Sequence, residues 1–235
     1  MVKFGGLQKT SLVDYPDEIC TILFTIGCNF RCPYCHNKEL VNPELFPNEI
    51  PEDYILGFLK ERKKYIDALT ITGGEPTIHK DLPEFIKKVK DLGFKVKIDT
   101  NGTNPEMIKF LIENKLVDFI AMDYKAPIKK YPEVVRAKID IKKIEKTKEI
   151  IMKSNVNYEF RITVVPTLLT KEDIIQIGEE LKGAKQVWIQ QFENKHGNVL
   201  DDNFLTIKPY RMSEIKEMVE SIKNKVQAVD ARGIV

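Results

Sequence analysis

The sequence predicts an α/β fold in which serial strand–helix units form a partial (β/α)6 barrel, parallel and open on one side. Three observations carry this. Short, β-branched apolar runs recur at 20–26, 68–72, 94–98, 117–122, 158–165 and 186–192. Segments with apolar residues at helical spacing lie between them. Gly, Asp, Asn and Cys gather just after several of the runs, at the strand ends where βα architectures bind ligands. Right-handed crossovers turn such a series into a curling parallel sheet. A flat doubly wound sheet fits the same pattern.

The chain of 235 residues, 43% hydrophobic, suits one domain. Within it we expect a leader over 1–19, a barrel core over 20–192, and a C-terminal loop, helix and strand over 193–235. No apolar run approaches the ~20 residues of a membrane span, and the N-terminus has no signal-peptide pattern. Four cysteines, three of them clustered, are not a disulfide framework and place the protein in a reducing cytoplasm. A net charge of +2 gives no footprint for nucleic acid.

Taken in order, the leader holds Gly5, Gly6 and Pro16 and reads as a loop or short hairpin strand, with Ser11 and Asp14 as turn caps. The run 20–26 is a buried strand, and Gly27 separates it from Cys28, Cys32 and Cys35. A wrapped loop aims three thiols at one point. A closed zinc site, or a cluster used only for electron transfer, takes four ligands. His36 adjoins Cys35, and Cys20 lies at the far end of the strand, roughly 25 Å away at ~3.3 Å per residue. Three ligands leave one metal corner open, as in reactive sites. Buried apolar cysteines, a redox pair or zinc are the competing readings.

Pro43, Pro47 and Pro51 keep 38–51 out of a long helix. Ile55, Phe58 and Leu59 mark a helix over 52–64. Strand 68–72 delivers Gly73-Gly74-Glu75-Pro76, which alone is an ordinary turn without the Lys-Ser/Thr of a phosphate loop. Leu82, Phe85, Ile86 and Val89 form a helical stripe ended by Gly93. Strand 94–98 delivers Asp99, Thr100, Asn101 and Gly102. A helix over 105–114 follows, and strand 117–122 delivers Asp123, Tyr124 and Lys125. Residues 126–137 read as an irregular lid or surface loop. A Lys-rich helix spans 139–153. Strand 158–165 contains Arg161, which lies either on a wet face or inside the barrel. Helix 171–182 and strand 186–192 complete the sixth unit, His196 falls in the loop beyond, and helix 213–225 with strand 226–229 ends the chain.

The spacing C-x-x-x-C-x-x-C, with Tyr34 before the last cysteine, resembles the signature of the radical S-adenosylmethionine (radical SAM) superfamily. The longer stretch GCNFRCPYCHN at 27–37 resembles the activating enzymes of glycyl-radical enzymes. With the leader GLQKTSLVDYP at 6–16 it is most similar to anaerobic ribonucleoside-triphosphate reductase activating proteins. The resemblance favours the open barrel. It implies a [4Fe–4S] cluster on Cys28, Cys32 and Cys35, and reductive cleavage of SAM at the open iron. It also implies a SAM pocket from Tyr34, Gly73, Gly74, Glu75, Asp99, Asp123, Lys125, Arg161 and His196, and a monovalent cation on Asp99, Thr100, Met122 and Asp123. The implied partners are a glycyl-radical enzyme and a ferredoxin- or flavodoxin-type electron donor. Pyruvate formate-lyase activation, a small-molecule reaction such as 7-carboxy-7-deazaguanine synthesis, and a zinc or iron–sulfur binding module are the alternatives.

Overall fold

The computed structural model describes residues 1–194 and 197–233. Among them one sheet runs in chain order: β1 (Phe4–Ser11), β2 (Cys20–Thr25), β3 (Ala68–Gly73), β4 (Lys95–Thr100), β5 (Phe119–Asp123), β6 (Asn157–Val164), β7 (Val187–Gln191) and β8 (Val229–Arg232). β1 pairs antiparallel with β2, and every later pair is parallel. A doubly wound sheet reverses its strand order at a switch point. The unbroken order here is instead that of a partial barrel with β1 and β8 as its edges.

Parallel neighbours require crossovers, which helices supply. These are α1 (Lys38–Val41), α2 (Glu52–Arg62), α3 (Leu82–Asp91), α4 (Pro105–Glu113), α5 (Tyr131–Val135), α6 (Ile141–Lys153), α7 (Lys171–Glu180) and α8 (Met212–Ile222). Outward strand residues such as Val96, Ile98, Ile120, Phe160, Ile162 and Ile189 share one core with the inner stripes of these helices. Alternate residues face the lumen, in keeping with the two-residue period of a strand. At its floor Tyr15, Cys20, Ile22 and Ala68 cluster with Phe24 and Phe119, so the leader plugs the barrel with Tyr15. Ser11 accepts from the Val13 and Asp14 amides at 3.2 and 3.3 Å, which is the turn its sequence promised.

Several boundaries differ from expectation, for physical reasons. β4 and β5 run on to Thr100 and Asp123 rather than stopping at Ile98 and Met122. A carboxylate looks like the end of an apolar run, yet Asp99 and Asp123 stay in register because the lumen neutralises them. The last strand is 229–232 rather than 226–229, since Arg232 is drawn inward onto Glu159. It adds a seventh parallel strand. Residues 38–51 form only the short α1 and a 3-10 turn (Pro43–Leu45), bounded by the prolines. Residues 126–137 are neither lid nor loose loop. A 3-10 turn (Ile128–Lys130) leads into α5, and Tyr131, Val134 and Val135 are buried in the core.

Candidate active site

The cysteine loop leaves β2 through Gly27, whose φ of +94° suits glycine. It is pinned from several sides. The Gly27 amide donates to Leu40 O at 2.7 Å and the Arg31 amide to Val135 O at 2.8 Å. The Arg31 guanidinium holds the Cys28 and Phe30 carbonyls at 2.7 Å each. Phe30 is buried edge-on against Tyr131. The segment 126–137 is therefore a buttress beneath the cysteines.

Cys28, Cys32 and Cys35 line one cavity of about 440 Å³ at the carboxyl ends of the strands. Burial pushes the Cys28 thiol up to about 12, the Cys32 thiol up to about 11, and the Cys35 thiol upward as well. Only a strong thiolate-seeking metal displaces such protons at neutral pH. His36 donates from Nε2 to the Glu193 carbonyl at 2.6 Å and stacks on Phe192. Cys20 sits on the lumen floor, its sulfur accepting from Thr70 Oγ1 at 3.7 Å. Among the described residues no three His, Cys, Asp or Glu side chains converge as they would on one metal ion. The Tyr34 hydroxyl is buried against the same cavity with no hydrogen-bond partner among the described residues. Three soft donors, a roomy polar cavity and an unpartnered hydroxyl fit a [4Fe–4S] cluster with a ligand beside it.

Gly73 and Gly74 bring β3 against the cysteine loop. A Cβ on Gly73 would lie 2.7 Å from Thr25 N, and one on Gly74 only 1.9 Å from the Gly27 carbonyl oxygen. The Gly74 and Glu75 amides close this contact by donating to Thr25 O and Gly27 O, both at 2.8 Å. We expect Gly74→Ala to cost about 1–3 kcal/mol and to lower bound iron, because the clash is with backbone. Gly57→Ala in α2, where nothing lies within 4 Å of the new methyl, should gain about 0.5–1 kcal/mol. Thermal melts and iron analysis of the two variants make the comparison; equal melts would contradict it.

Glu75 is buried and does not project into the cavity as an open acceptor. Its Oε1 accepts from Thr77 N (3.1 Å), Thr77 Oγ1 (2.5 Å) and Thr100 Oγ1 (2.7 Å), and Oε2 accepts from Asn101 N at 2.6 Å. Burial raises its pKa, against the pull of these donors. It knots the β3 loop to the β4 loop. Asn101 Nδ2 in turn donates to Asn29 Oδ1 at 2.8 Å, and Asn37 Nδ2 to Gly73 O at 3.0 Å. Three loops from different strands are thus clipped together around the thiols.

The opposite wall is a lattice of charges. Arg161 bridges two strands, with Nη1 on Asp99 Oδ2 and Nε on Asp123 Oδ1, both at 2.9 Å. Lys97 Nζ meets Asp99 Oδ1 at 2.6 Å, and Lys125 Nζ meets Asp123 Oδ2 at 3.2 Å. Burial works against both carboxylates, yet Arg161 and the lysines overcome it. Asp99 is held below the usual carboxylate range and Asp123 at about 2. Lys125 and Arg161 are pushed the other way, up, because their carboxylate partners outweigh the cost of burial. Tyr131 supports this wall, its hydroxyl accepting from Lys125 N at 3.1 Å.

The structure therefore gathers Cys28, Cys32, Cys35, Tyr34, Gly73, Gly74, Glu75, Asp99, Thr100, Asp123, Lys125 and Arg161 around one cavity. Met122 is not among them. Its side chain is in the outer core, where it fills the space beside Gly102. His196 lies outside the described residues. Sequence reasoning missed Lys97, Tyr131 and the stack at β8, where Arg232 lies 3.8 Å over the Trp188 ring and pairs with Glu159 through two 3.0 Å bonds. Inward alternation along β4 and β6 was the available signal for Lys97 and Glu159.

The model for the radical SAM superfamily matches residues 22–188. A Methanocaldococcus jannaschii protein, provisionally named as a glycyl-radical enzyme activating enzyme, is 38% identical over 98% of this chain and 95% of its own length. The pyruvate formate-lyase-activating enzyme of Clostridium pasteurianum is 24% identical over 97% of this chain and 96% of its own. Among solved structures, Streptococcus suis SuiB bound to S-adenosylmethionine superposes with a TM-score of 0.66 at 18% identity, over 90% of this chain and 52% of that one.

Proposed function

The chain belongs to the radical SAM superfamily and, within it, to the glycyl-radical enzyme activating family; on that premise we propose that it activates an anaerobic ribonucleoside-triphosphate reductase by removing a hydrogen atom from a glycine of that enzyme. The observation that carries this reading is one cavity lined by three thiols, a glycine-rich wall and a charge lattice, in a chain matched along nearly its whole length by a relative named for activating glycyl-radical enzymes. The stretch at 27–37 supports a glycyl-radical enzyme as partner, and the leader at 6–16 supports the reductase in particular. A ferredoxin- or flavodoxin-type protein supplies the electron. The single continuous sheet supports one domain over 1–235. Among the described residues no helix is long and apolar enough to cross a membrane, compatible with a cytoplasmic enzyme.

When bound, the [4Fe–4S] cluster and SAM supply reductive cleavage of a carbon–sulfur bond and, with it, the means to take a hydrogen atom from carbon. The chain's own residues do the holding. Cys28, Cys32 and Cys35 would hold the cluster, and the Gly73–Gly74 backbone beside them would accept from the SAM ammonium, with Asn37 Nδ2 on the Gly73 carbonyl fixing that backbone. Glu75 acts as a positioning residue that fixes this backbone. Lys125 and Arg161 offer remaining N–H donors to the SAM carboxylate, and their partners Asp99 and Asp123 keep them charged and oriented. Tyr34 and Phe192, edge to face at 6.5 Å, wall the cavity and keep out water.

To test the partner, reduced protein and SAM are mixed anaerobically with the reductase and, separately, with a formate-lyase. The expected result is a glycyl doublet in the paramagnetic resonance spectrum of the reductase. A doublet on the formate-lyase alone overturns the partner. Active SAM cleavage with no doublet on either moves the assignment to a small-molecule substrate.

A further inference from the structure

Resemblance led us to expect a monovalent cation on Asp99, Thr100, Met122 and Asp123, and the site does not fit one. Both Asp99 oxygens are taken, by Lys97 Nζ at 2.6 Å and Arg161 Nη1 at 2.9 Å. Both Asp123 oxygens are taken, by Arg161 Nε at 2.9 Å and Lys125 Nζ at 3.2 Å. The Thr100 hydroxyl donates to Glu75 at 2.7 Å and accepts from the Gly102 amide at 3.1 Å, and Met122 has only a soft thioether, which lies against Gly102 in the outer core. Two carboxylates already face three fixed cations, so a further positive ion would meet repulsion without an open side-chain oxygen to repay its lost hydration.

Lys97 is the unusual member. It stands two residues before Asp99 on β4, so the strand period sends both side chains into the lumen. Its side chain is 3% exposed, beneath the cavity and outside its lining. A lysine stem spans the depth of one strand repeat and delivers a compact ammonium under the carboxylate. A buried lysine is tolerated only beside such a partner. From below, it charges and orients Asp99 while leaving the face toward the cavity to Arg161.

We infer that Lys97 is a built-in substitute for the monovalent cation, a positioning residue that holds Asp99 and, through it, Arg161 in the geometry that receives SAM. The inference rests on the SAM-pocket reading above. It predicts an enzyme indifferent to potassium and sodium. It also predicts that removing the ammonium creates a cation requirement, which a merely structural lysine would not do.

The test uses the full chain with its cluster reconstituted anaerobically. SAM affinity and 5′-deoxyadenosine formation are measured in potassium, sodium and choline chloride at one ionic strength. The parent should vary by no more than about twofold among the salts. Lys97→Met should bind SAM about tenfold more weakly in choline and recover most of the loss in potassium. Thallium-205 resonance on the parent needs no variant and no SAM: no saturable binding is expected, and saturable binding abolished by Asp99→Asn overturns the inference. So does a parent that binds SAM only when potassium or sodium is present, a result that leaves the SAM pocket standing. A parent that binds no SAM in any salt overturns the pocket reading and the role of Lys97 with it.

Discussion

Single Cys28→Ala, Cys32→Ala and Cys35→Ala proteins will lose SAM cleavage by more than about a thousandfold, to background, whereas Cys20→Ala will stay within about twofold of the parent. The four thiols look alike in composition and differ in place. Three line the cavity at the strand ends, and among the described residues none has a protein substitute nearby, since His36 is engaged with the Glu193 carbonyl. Cys20 lies at the other end of β2, among Tyr15, Ile22 and Ala68. Its truncation opens a small void costing about 1–2 kcal/mol, felt in stability and not in chemistry. Iron and sulfide analysis with 5′-deoxyadenosine formation reads both predictions. Full cleavage in any of the three loop variants, or its loss in a folded Cys20→Ala protein, would show that the ligand set is different.

Arg161→Met should be the most damaging change outside the cysteines. The Arg161 side chain is 14% exposed and, among the described residues, is the one that pairs with both Asp99 and Asp123. Without it two buried carboxylates face each other with only a lysine apiece. Breaking a buried pair from one side costs about 3–5 kcal/mol, because the remaining charge is left poorly compensated. SAM cleavage should fall about a hundredfold along with it, since in the proposed pocket the cavity also loses a donor for the SAM carboxylate. Adding Asp123→Asn to Arg161→Met should restore part of the stability without restoring cleavage, a coupling expected of groups in direct contact. Urea unfolding at neutral pH measures the first effect and 5′-deoxyadenosine the second. Strictly additive losses would mean that Arg161 acts elsewhere.

Much of this architecture was legible because barrel strands end in their chemistry. The runs before Gly27, Gly73, Asp99 and Asp123 are apolar and β-branched, and each hands a polar cluster to the same rim. Reading failed where a charge belongs inside. Asp99, Asp123 and Arg232 broke apolar runs on paper but remain in their strands, because Lys97 from the same strand, and Arg161 and Glu159 from β6, neutralise them inside the lumen. Lys97 lies only two residues from Asp99 and was within reach of the strand period, but Arg161 and Glu159 act between residues as much as 73 positions apart, beyond the reach of local pattern. The buttress at 126–137 was hidden for a similar reason. Pro127 and Pro132 read as a loop, while the value of Tyr131 lies in its contacts with Phe30, Asp123 and Lys125. At Glu75 the type and place were legible, while the bonds by which its carboxylate ties together the loops on either side were not.

In the proposed function this cavity moves a hydrogen atom from a glycine of a partner enzyme to SAM-derived carbon. Reductase grown with α-deuterated glycine, mixed anaerobically with reduced protein and SAM, tests it most directly through the mass of the 5′-deoxyadenosine released. Deuterium is expected in that product in step with the growth of the glycyl signal, and none when the reductase glycine is replaced by alanine. 5′-Deoxyadenosine that stays unlabelled while the glycyl signal grows would contradict direct abstraction by this site.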